Sequence, residues 1–425
     1  MSPLAVPGFR WLWSGGLVSL AGTHMQFVAL PYFVYERTGS SFATASAAAA
    51  QALPGVVLGP LAGAVADSRD GRRLLIGANV VLAAVTLAFC LASVTPWWVV
   101  VAVAFLQAAV AQLVAPAEVV LVPALVPTAT LPAANSLSAA NNSLARLIGP
   151  AAGGLVYATS GLPAVAVLNA ASFAVAALLV SRIDLTRTTT ALSGHVRLQR
   201  RVRTTRPRLT GGWAAGWEEI RRQPLLGRLL VFAVLTGIGE GCVSALLAPY
   251  TAEVFGSSTA LGLLLTCQAA GGLAGALAVS RWATIDHLPR TLGAAAISSG
   301  VLLVVMIGYP LLYSPLWPAL LLITVAGLPF AAVAAAQTTL LQTVPHPAVR
   351  GSVYGVTIAA AGAAQLVAIL AAGYLADRTS VYLLLADAPC YLLAGVLLVR
   401  RRQPNPARTT TDRRGRLPQQ RWPIT

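Results

Sequence analysis

Two ionisable residues lie far inside long apolar stretches of this sequence, where a charge is costly. His24 follows Arg10 by fourteen residues, and Glu240 follows Arg228 by twelve. At about 1.5 Å of rise per helical residue, both positions fall near the centre of a bilayer whose core is about 30 Å thick. A charge there costs about 2.5–3.5 kcal/mol on insertion scales, so such residues usually face a cavity. We predict that Glu240 exchanges a proton or a cation there and that His24 tunes it. The alternative for each residue is a structural hydrogen bond.

A second set of charged residues forms a compact polar segment directly after an apolar stretch. Residues 63–73 read GAVADSRDGRR. The first glycine would let two helices approach closely, and the first aspartate could accept hydrogen bonds from a neighbouring helix N-terminus, whose dipole favours negative charge. The arginines could pair across an interface in one conformation and release it in another. The alternative is a basic loop that only sets orientation. The candidate gating residues are Gly63, Asp67, Arg69, Asp70, Arg72 and Arg73.

A third candidate element is rich in small residues and contains a proline. Residues 146–154 read RLIGPAAGG. Gly149 and Gly153 are four residues apart and would form a flat strip for close helix packing, while Pro150 would bend the helix. Ordinary packing by small residues is the alternative to a functional role. The candidate residues of this element are Arg146, Gly149, Pro150, Gly153 and Gly154.

Other polar residues are spread through the apolar stretches. Gln107 and Gln112 lie in the middle of one stretch and are candidates to line the same cavity as Glu240. Asp387, the counterpart of Asn169 in a repeat described below, is expected to make a helix-packing hydrogen bond. Three carboxylates near the ends of apolar stretches are expected to be solvated, namely Glu36, Glu253 and Asp377.

Membrane-spanning helices must position these residues. Hydrophobic residues make up 57% of the chain and charged residues only 10%, against about 25% charged in a soluble domain. Apolar blocks of about 20 residues recur along the whole chain, which is the length that crosses a bilayer as a helix. A β-barrel would show short alternating segments instead. We predict an all-α membrane protein with twelve transmembrane helices. Their approximate positions are 11–35, 42–66, 74–94, 97–120, 133–158, 163–181, 227–252, 259–281, 291–312, 316–342, 352–376 and 380–399.

Arginine placement predicts the orientation of these helices. The formal net charge is +16, and all 29 basic residues are arginine. With an even number of spans, only Arg37 and Arg378 fall on the outer side and Arg146 within a span, which leaves 26 of the 29 on the inner side. Loops rich in arginine stay in the cytoplasm, so we predict a cell (plasma) membrane protein with both termini cytoplasmic. The same placement argues against nucleic-acid binding as the reason for the charge.

An internal repeat predicts two equivalent halves. Residues 59–69 read GPLAGAVADSR and residues 271–281 read GGLAGALAVSR, which match at eight of eleven positions. Pro31 and Tyr32 before Gly39 recur as a Pro-Tyr pair at 249–250 before a glycine at 256. We predict two pseudo-symmetric six-helix halves, as in transporters whose halves rock about a central site. They would be residues 1–182 and 227–400, joined by a basic cytoplasmic linker at 183–226 and followed by a disordered cytoplasmic tail at 401–425.

The loop at 63–73 resembles the signature loop between helices 2 and 3 of the major facilitator superfamily. The D-x-x-D-x-R-R spacing that begins at Asp67 is similar to the branch that includes siderophore exporters and macrolide or multidrug permeases. The G-P-x-x-G-G run that begins at Gly149 is similar to the antiporter motif of drug-efflux members, although Ala145 stands where that motif has a glycine. Proton-coupled members often carry an arginine in helix 4, where this chain has Gln107 and Gln112.

The resemblance implies a secondary active transporter, which we expect to be a proton-coupled exporter of small amphipathic or cationic molecules. A proton gradient would supply the energy, with no cofactor and no metal, and the expected partners are the small-molecule substrate and the lipid bilayer around a monomer. A nutrient importer or facilitator of the same fold is the alternative, and a membrane sensor that does not transport is a remote one. An enzyme is not expected, because the chain has no lysine for a P-loop and neither H-E-x-x-H nor G-x-S-x-G.

Overall fold

The computed structural model describes residues 2–184, 209–282, 288–313 and 315–399. The side chains of Pro60, Asp67, 209–212 and 278–282 lie outside this description. The described residues form helices and contain no strand. The α-helices are α1 Pro7–Thr38, α2 Ser41–Ser68, α3 Gly71–Leu87, α4 Trp97–Ala111, α5 Val114–Leu125, α6 Leu131–Ser181, α7 Leu209–Arg222, α8 Pro224–Phe255, α9 Ser258–Trp282, α10 Leu288–Gly308, α11 Trp317–Thr343, α12 Arg350–Ala376 and α13 Asp387–Val399.

In the described part of the chain, eleven helical stretches are long and apolar enough to cross a membrane. One of them, Thr128–Ser181, has 54 residues and includes α6. As a single helix it would be about 80 Å long, more than twice the thickness of a bilayer core. At Gly161 the backbone has φ 71° and ψ −175°, a conformation that essentially only glycine adopts, and the helix is interrupted there.

Contacts with α1 show that α6 reverses direction at this glycine. Before it, Asn141 binds the backbone of Trp13 and Tyr157 binds Glu36, so this part of α6 runs parallel to α1. After it, Asn169 lies beside Gly22, and Ala176 lies beside Gly15, nearer the start of α1. The second part is therefore antiparallel to α1, and α6 contributes two spans. This confirms the predicted twelve-helix fold.

The repeat is visible in the local geometry of the two halves. Helices α1 and α8 each have 32 residues, contain a proline and end at a left-handed glycine, Gly39 and Gly256, both with φ 62°. In each half the next residue is a serine whose hydroxyl accepts a hydrogen bond from a backbone N–H three residues later, at 3.1 Å for Ser40 and 3.4 Å for Ser257. Such serines are favoured helix N-caps.

The helix bundle has two ends, which we name from the course of α1. We call the end at which α1 begins, near Pro7, the proximal end, and the end at which α1 finishes, near Thr38, the distal end. With twelve spans, α13 finishes at Val399 on the proximal side. Apolar residues buried between helices form separate clusters near the proximal and distal ends of the bundle.

The region predicted as a linker contains a helix. Helix α7 packs through Ile220, which is 4% exposed, and through Gly216, which lies against Ser352 of α12. Trp213 and Trp217, four residues apart, are 58% and 50% exposed. An amphipathic helix with exposed tryptophans is typical of a membrane interface. Residues 185–208 and the predicted tail at 401–425 lie outside the described residues, so the linker and tail stay predictions there.

Candidate functional site

A cavity of about 470 Å³ lies between the two halves, at the middle of the bundle. This size is within the range of small-molecule binding sites. Its walls are mostly apolar, with side chains such as Phe27, Leu247, Met306 and Phe330. The charged residues that line it are Arg146, Glu240 and Asp387. A mostly apolar wall with few polar groups suits an organic molecule that carries a polar or charged part.

Glu240 lies on the wall of this cavity, where the sequence placed it. It is near the middle of α8, and its side chain is exposed to the cavity rather than packed against neighbouring helices. Arg146 faces the same space from α6 in the other half and is close enough to act electrostatically on Glu240. A carboxylate and a guanidinium from opposite halves therefore share one cavity. The functional role of each stays a prediction.

Asp387 also lines the cavity, which the sequence analysis did not anticipate. Its side chain is 1% exposed, and neither carboxylate oxygen has a hydrogen-bond partner among the described residues. It lies at the start of α13, against Gly239 and close to Glu240. The predicted packing hydrogen bond of Asp387 is therefore wrong. The useful signal in the sequence was a carboxylate at the position where the first half has the neutral Asn169.

Gln107 and Gln112 lie outside the set of residues that line this cavity. The side chain of Gln107 donates to Thr86 Oγ1 at 2.8 Å and exchanges hydrogen bonds with Gln26 at 2.6 and 3.2 Å. Gln26 also accepts a 2.6 Å hydrogen bond from Asn169. The Gln112 amide donates to the backbone of its own helix at 3.3 Å. Gln107 thus belongs to a buried polar cluster inside the first half, because the neighbouring helices α1 and α3 offer it partners.

His24 lies behind the cavity wall rather than on it. Its side chain is half-buried beside Asn142 and Arg146. Among the described residues that line the cavity, Arg146 is therefore the ionisable residue of the first half. His24 thus lies beside Arg146, and its predicted tuning of Glu240 stays a prediction.

The small-residue element of α6 faces two different neighbours. A Cβ on Gly149 would lie 2.5 Å from the Cβ of His24, and Gly153 lies directly against the backbone of Met25, so these glycines pack α6 onto α1. This is the close packing predicted from their spacing. A Cβ on Gly154 would lie 2.6 Å from the carbonyl oxygen of Ser258 in the other half.

Pro150 also lies at the contact between the halves. Its carbonyl group lies against Gly262 of α9. The next residue, Ala151, donates its backbone N–H to Thr266 Oγ1 of α9 at 3.1 Å. The proline and Gly154 thus form a surface of α6 toward the second half, whereas Gly149 and Gly153 face the first.

The candidate gating loop makes contacts within the first half. Asp70 caps α3 by accepting a 2.9 Å hydrogen bond from the backbone N–H of Arg73, and Arg72 donates to the carbonyls of Val180 and Ser181 at 3.4 and 2.5 Å. Arg72 thus caps the end of α6, where helix carbonyls favour a cation. Arg69 and Arg73 are exposed. The side chain of Asp67 lies outside the described residues.

The glycine of this loop does not make the predicted close approach in this conformation. A Cβ on Gly63 or on Gly59 of α2 would meet no described atom within 4 Å beyond its own helix. The same holds for Gly351 and Gly355 on the facing part of α12. Toward the proximal end, α2 and α12 therefore lie apart at these glycines.

At the distal end the same two helices are joined. Asp377, at the end of α12, accepts hydrogen bonds from the hydroxyl of Ser40 at 2.7 Å and from the backbone N–H groups of Ser41 and Phe42 at 2.5 and 3.3 Å. The carboxylate caps the N-terminus of α2, whose dipole favours negative charge. A Cβ on Gly373 would lie 2.9 Å from the carbonyl oxygen of Ser41.

Further bonds complete what we call the distal seal, the set of contacts made by Asp377, Glu253 and Ser258 with the first half. Glu253 accepts a hydrogen bond from Tyr35, and the Ser258 hydroxyl donates to the Gly154 carbonyl at 3.1 Å. Glu36 accepts from Tyr157 within the first half. Glu36, Glu253 and Asp377 are exposed, as expected, but each also accepts a hydrogen bond that the sequence analysis did not anticipate. The cavity is closed on its distal side, and its proximal side is where the halves diverge.

Comparisons with known proteins agree with this architecture. The model of the Major Facilitator Superfamily matches residues 12–356 and again residues 229–423. Macrolide efflux protein A of Streptococcus pyogenes is 23% identical over 395 residues, covering 92% of this chain and 93% of that protein. Multidrug efflux pump Tap of Mycolicibacterium fortuitum is 29% identical over 395 residues, covering 90% of this chain and 93% of that pump.

Two solved structures share the fold at low sequence identity. A bacterial homologue of the iron transporter ferroportin, in an inward-facing state, has a TM-score of 0.70 at 17% identity and covers 92% of this chain and 98% of its own. The nucleoside transporter NupG has a TM-score of 0.69 at 12% identity, with coverages of 92% and 98%. The chain belongs to the Major Facilitator Superfamily, and it is a multi-pass membrane transporter rather than an enzyme.

Proposed function

We propose that this transporter is a proton-coupled exporter of small amphipathic or cationic molecules that works by alternating access. The observation that carries the proposal is Glu240, an ionisable group exposed in the central cavity between the two halves. Its carboxylate can be neutralised either by a proton or by a cationic molecule, so the two compete for one site. The similarity to a macrolide efflux protein and a multidrug efflux pump supports outward transport.

The conformation described here fits one step of such a cycle. The distal seal closes the cavity on one side, and α2 and α12 diverge on the other. We further propose that the protein is a monomer in the cell membrane with both termini cytoplasmic, as arginine placement favours. In that orientation the described state opens to the cytoplasm and is the state that loads an exported molecule.

The cavity wall supports the substrate class. Apolar side chains from both halves surround the few charged ones, so burial of an apolar body would contribute most of the binding free energy. Arg146 lines the same cavity as Glu240 and would attract its carboxylate whenever that group is ionised. A neutral, wholly polar molecule would leave much of this apolar wall without an apolar group to contact it.

The test is Glu240→Gln in proteoliposomes with an imposed pH gradient. We expect the variant to lose uptake driven by the gradient, because the amide cannot carry the proton, while exchange of labelled for unlabelled substrate continues. Glu118→Gln is the matched control, since Glu118 is a carboxylate of α5 outside the cavity lining. It should retain gradient-driven transport.

The two assays separate coupling from binding. If the Glu240→Gln protein still concentrates substrate against its gradient, Glu240 is structural and the coupling group lies elsewhere. Loss of both activities, with an unfolding temperature like that of wild type, would make Glu240 a binding residue rather than a coupling residue. Transport only toward the proximal side of vesicles of known orientation would contradict export.

A further inference from the structure

Asp387 is a buried carboxylate without the partners that such a group needs. Its side chain is 1% exposed, and both oxygens lack a hydrogen-bond partner among the described residues. Burying an ionised carboxylate without a hydrogen bond or a counter-charge is costly, so buried charges are normally paired. Asp387 also lines the cavity. The cavity is therefore the side from which a partner could reach it.

The charges around the cavity do not balance. Among its described lining residues, Arg146 carries one positive charge, and Glu240 and Asp387 carry two negative charges when ionised. Arg146 acts on Glu240 from the opposite half, and Glu240 lies close to Asp387. One unit of negative charge is left over, and one monovalent cation would neutralise it.

The two carboxylates have different surroundings. Glu240 is exposed to the cavity and can interact with a cation through charge alone. Asp387 packs against Gly239 and is 1% exposed, so its oxygens depend on direct hydrogen bonds more than those of Glu240 do. A ligand that satisfies Asp387 must therefore bring its own hydrogen-bond donors as well as a positive charge.

We propose that Asp387 and Glu240 form a binding subsite for a protonated amine, with Asp387 accepting hydrogen bonds from the N–H groups of the ammonium. This inference rests on the proposed function and specifies its substrate class. The ligand is a primary or secondary ammonium ion with an apolar, preferably aromatic, body. Phe330 and Tyr391, whose ring centroids are 6.5 Å apart, stand on the wall beside the carboxylates and would contact that body.

The test compares two cations with the same charge and the same aromatic body, of which only one carries N–H donors. The probes are 1-naphthylmethylammonium and its N,N,N-trimethyl analogue, with 1-naphthalenemethanol as the neutral reference. Binding to the purified full-length protein is measured by calorimetry. Because charge-assisted hydrogen bonds are the strong ones, we expect wild type to bind the ammonium about tenfold or more tightly than the trimethyl analogue.

Variants assign this preference to one carboxylate. Asp387→Asn should reduce the ratio of the two affinities to about one, and Asp387→Glu should keep the ratio above one. Glu240→Gln should weaken both cations together and leave their ratio unchanged. Glu118→Gln is the matched control and should behave as wild type. Unchanged binding of the neutral alcohol to each variant shows that the cavity is intact.

The inference is overturned if wild type binds the two cations equally or binds neither, or if Asp387→Asn keeps the wild-type ratio. The outcome for the proposed function is separate. Gradient-driven transport that persists without any ammonium preference would overturn this inference alone. An ammonium preference at Asp387 in a protein that shows no gradient-driven transport would overturn the proton coupling and leave the subsite.

Discussion

The two halves of this transporter treat equivalent polar positions in opposite ways. In the first half, Asn169 is 0% exposed and donates a 2.6 Å hydrogen bond to Gln26, which in turn binds Gln107. In the second half, the position 218 residues after Asn169 is Asp387, which has no such partner, and the position 218 residues after Gln26 is Ser244, on the cavity wall.

The difference shows that two halves of the same fold, related by duplication, can use equivalent positions for different purposes. A satisfied buried network makes a core rigid and unique, whereas an unsatisfied one costs free energy. The first half uses its polar residues to hold α1, α4 and α6 together. The second half leaves its carboxylates available to whatever enters the cavity. Three substitutions examine this contrast.

The largest expected effect on stability comes from placing an aspartate, as at Asp387, at the equivalent position of the first half. Asn169→Asp would replace an amide donor with a carboxylate directly beside the oxygen of Gln26, and we expect a loss of about 3–5 kcal/mol in stability, because the new charge is buried and unpaired. The measurement is thermal unfolding in detergent followed by tryptophan fluorescence. Asn135→Asp makes the same change at an exposed position of α6 and should have little effect. Equal unfolding temperatures for the two variants would contradict the contrast.

A smaller effect is expected from removing the centre of the first-half network. Gln26→Ala would remove the acceptor of the Asn169 amide and the donor to the Gln107 side-chain oxygen, at a cost of about 1–3 kcal/mol. Its matched variant is Ser244→Ala, at the equivalent position on the cavity wall, which should change stability by less than about 0.5 kcal/mol. Chemical unfolding of both variants under the same conditions gives the difference. Similar losses for both would mean that Ser244 is also structural.

The smallest effect, and of opposite sign, is expected for the reverse exchange. Asp387→Asn removes a buried carboxylate that has no partner, so the empty protein should be unchanged or up to about 1 kcal/mol more stable. The same fluorescence measurement applies. A loss as large as that of Asn169→Asp would show that Asp387 holds the second half together, and the contrast between the halves would fail.

Much of the fold could be predicted from the sequence, because long apolar blocks, arginine placement and the repeat are local or periodic signals. The break at Gly161 falls between the predicted spans 133–158 and 163–181, and Glu240 lies on a cavity wall, as its depth in the helix led us to expect. These features depend on how far a residue lies along one helix. That distance follows directly from counting residues.

The polar partners could not be predicted in the same way. Asp377 binds Ser41, which is 336 positions away, and Gln107 binds Gln26, 81 positions away. Sequence periodicity gives the face of a helix but not which distant helix covers it. Asp387 was missed as a cavity residue for the same reason, since only the three-dimensional arrangement shows that none of the described residues binds its carboxylate. The gating role predicted for the loop at 63–73 stays a prediction, because the side chain of Asp67 lies outside the described residues.

Asp377 accepts three hydrogen bonds from the start of α2, and the opposite state, with the distal end open, would lose them. Hydrogen bonds to a charged group contribute about 1.5–3 kcal/mol each, and 1.4 kcal/mol is a tenfold change in a population ratio. Unless the opposite state gains a comparable amount, it would be too rare for turnover. Arg69 and Arg73, exposed at the diverged end, are available to supply it. The free energy of the contacts at the distal end therefore sets how much free energy contacts at the proximal end must supply in the opposite state.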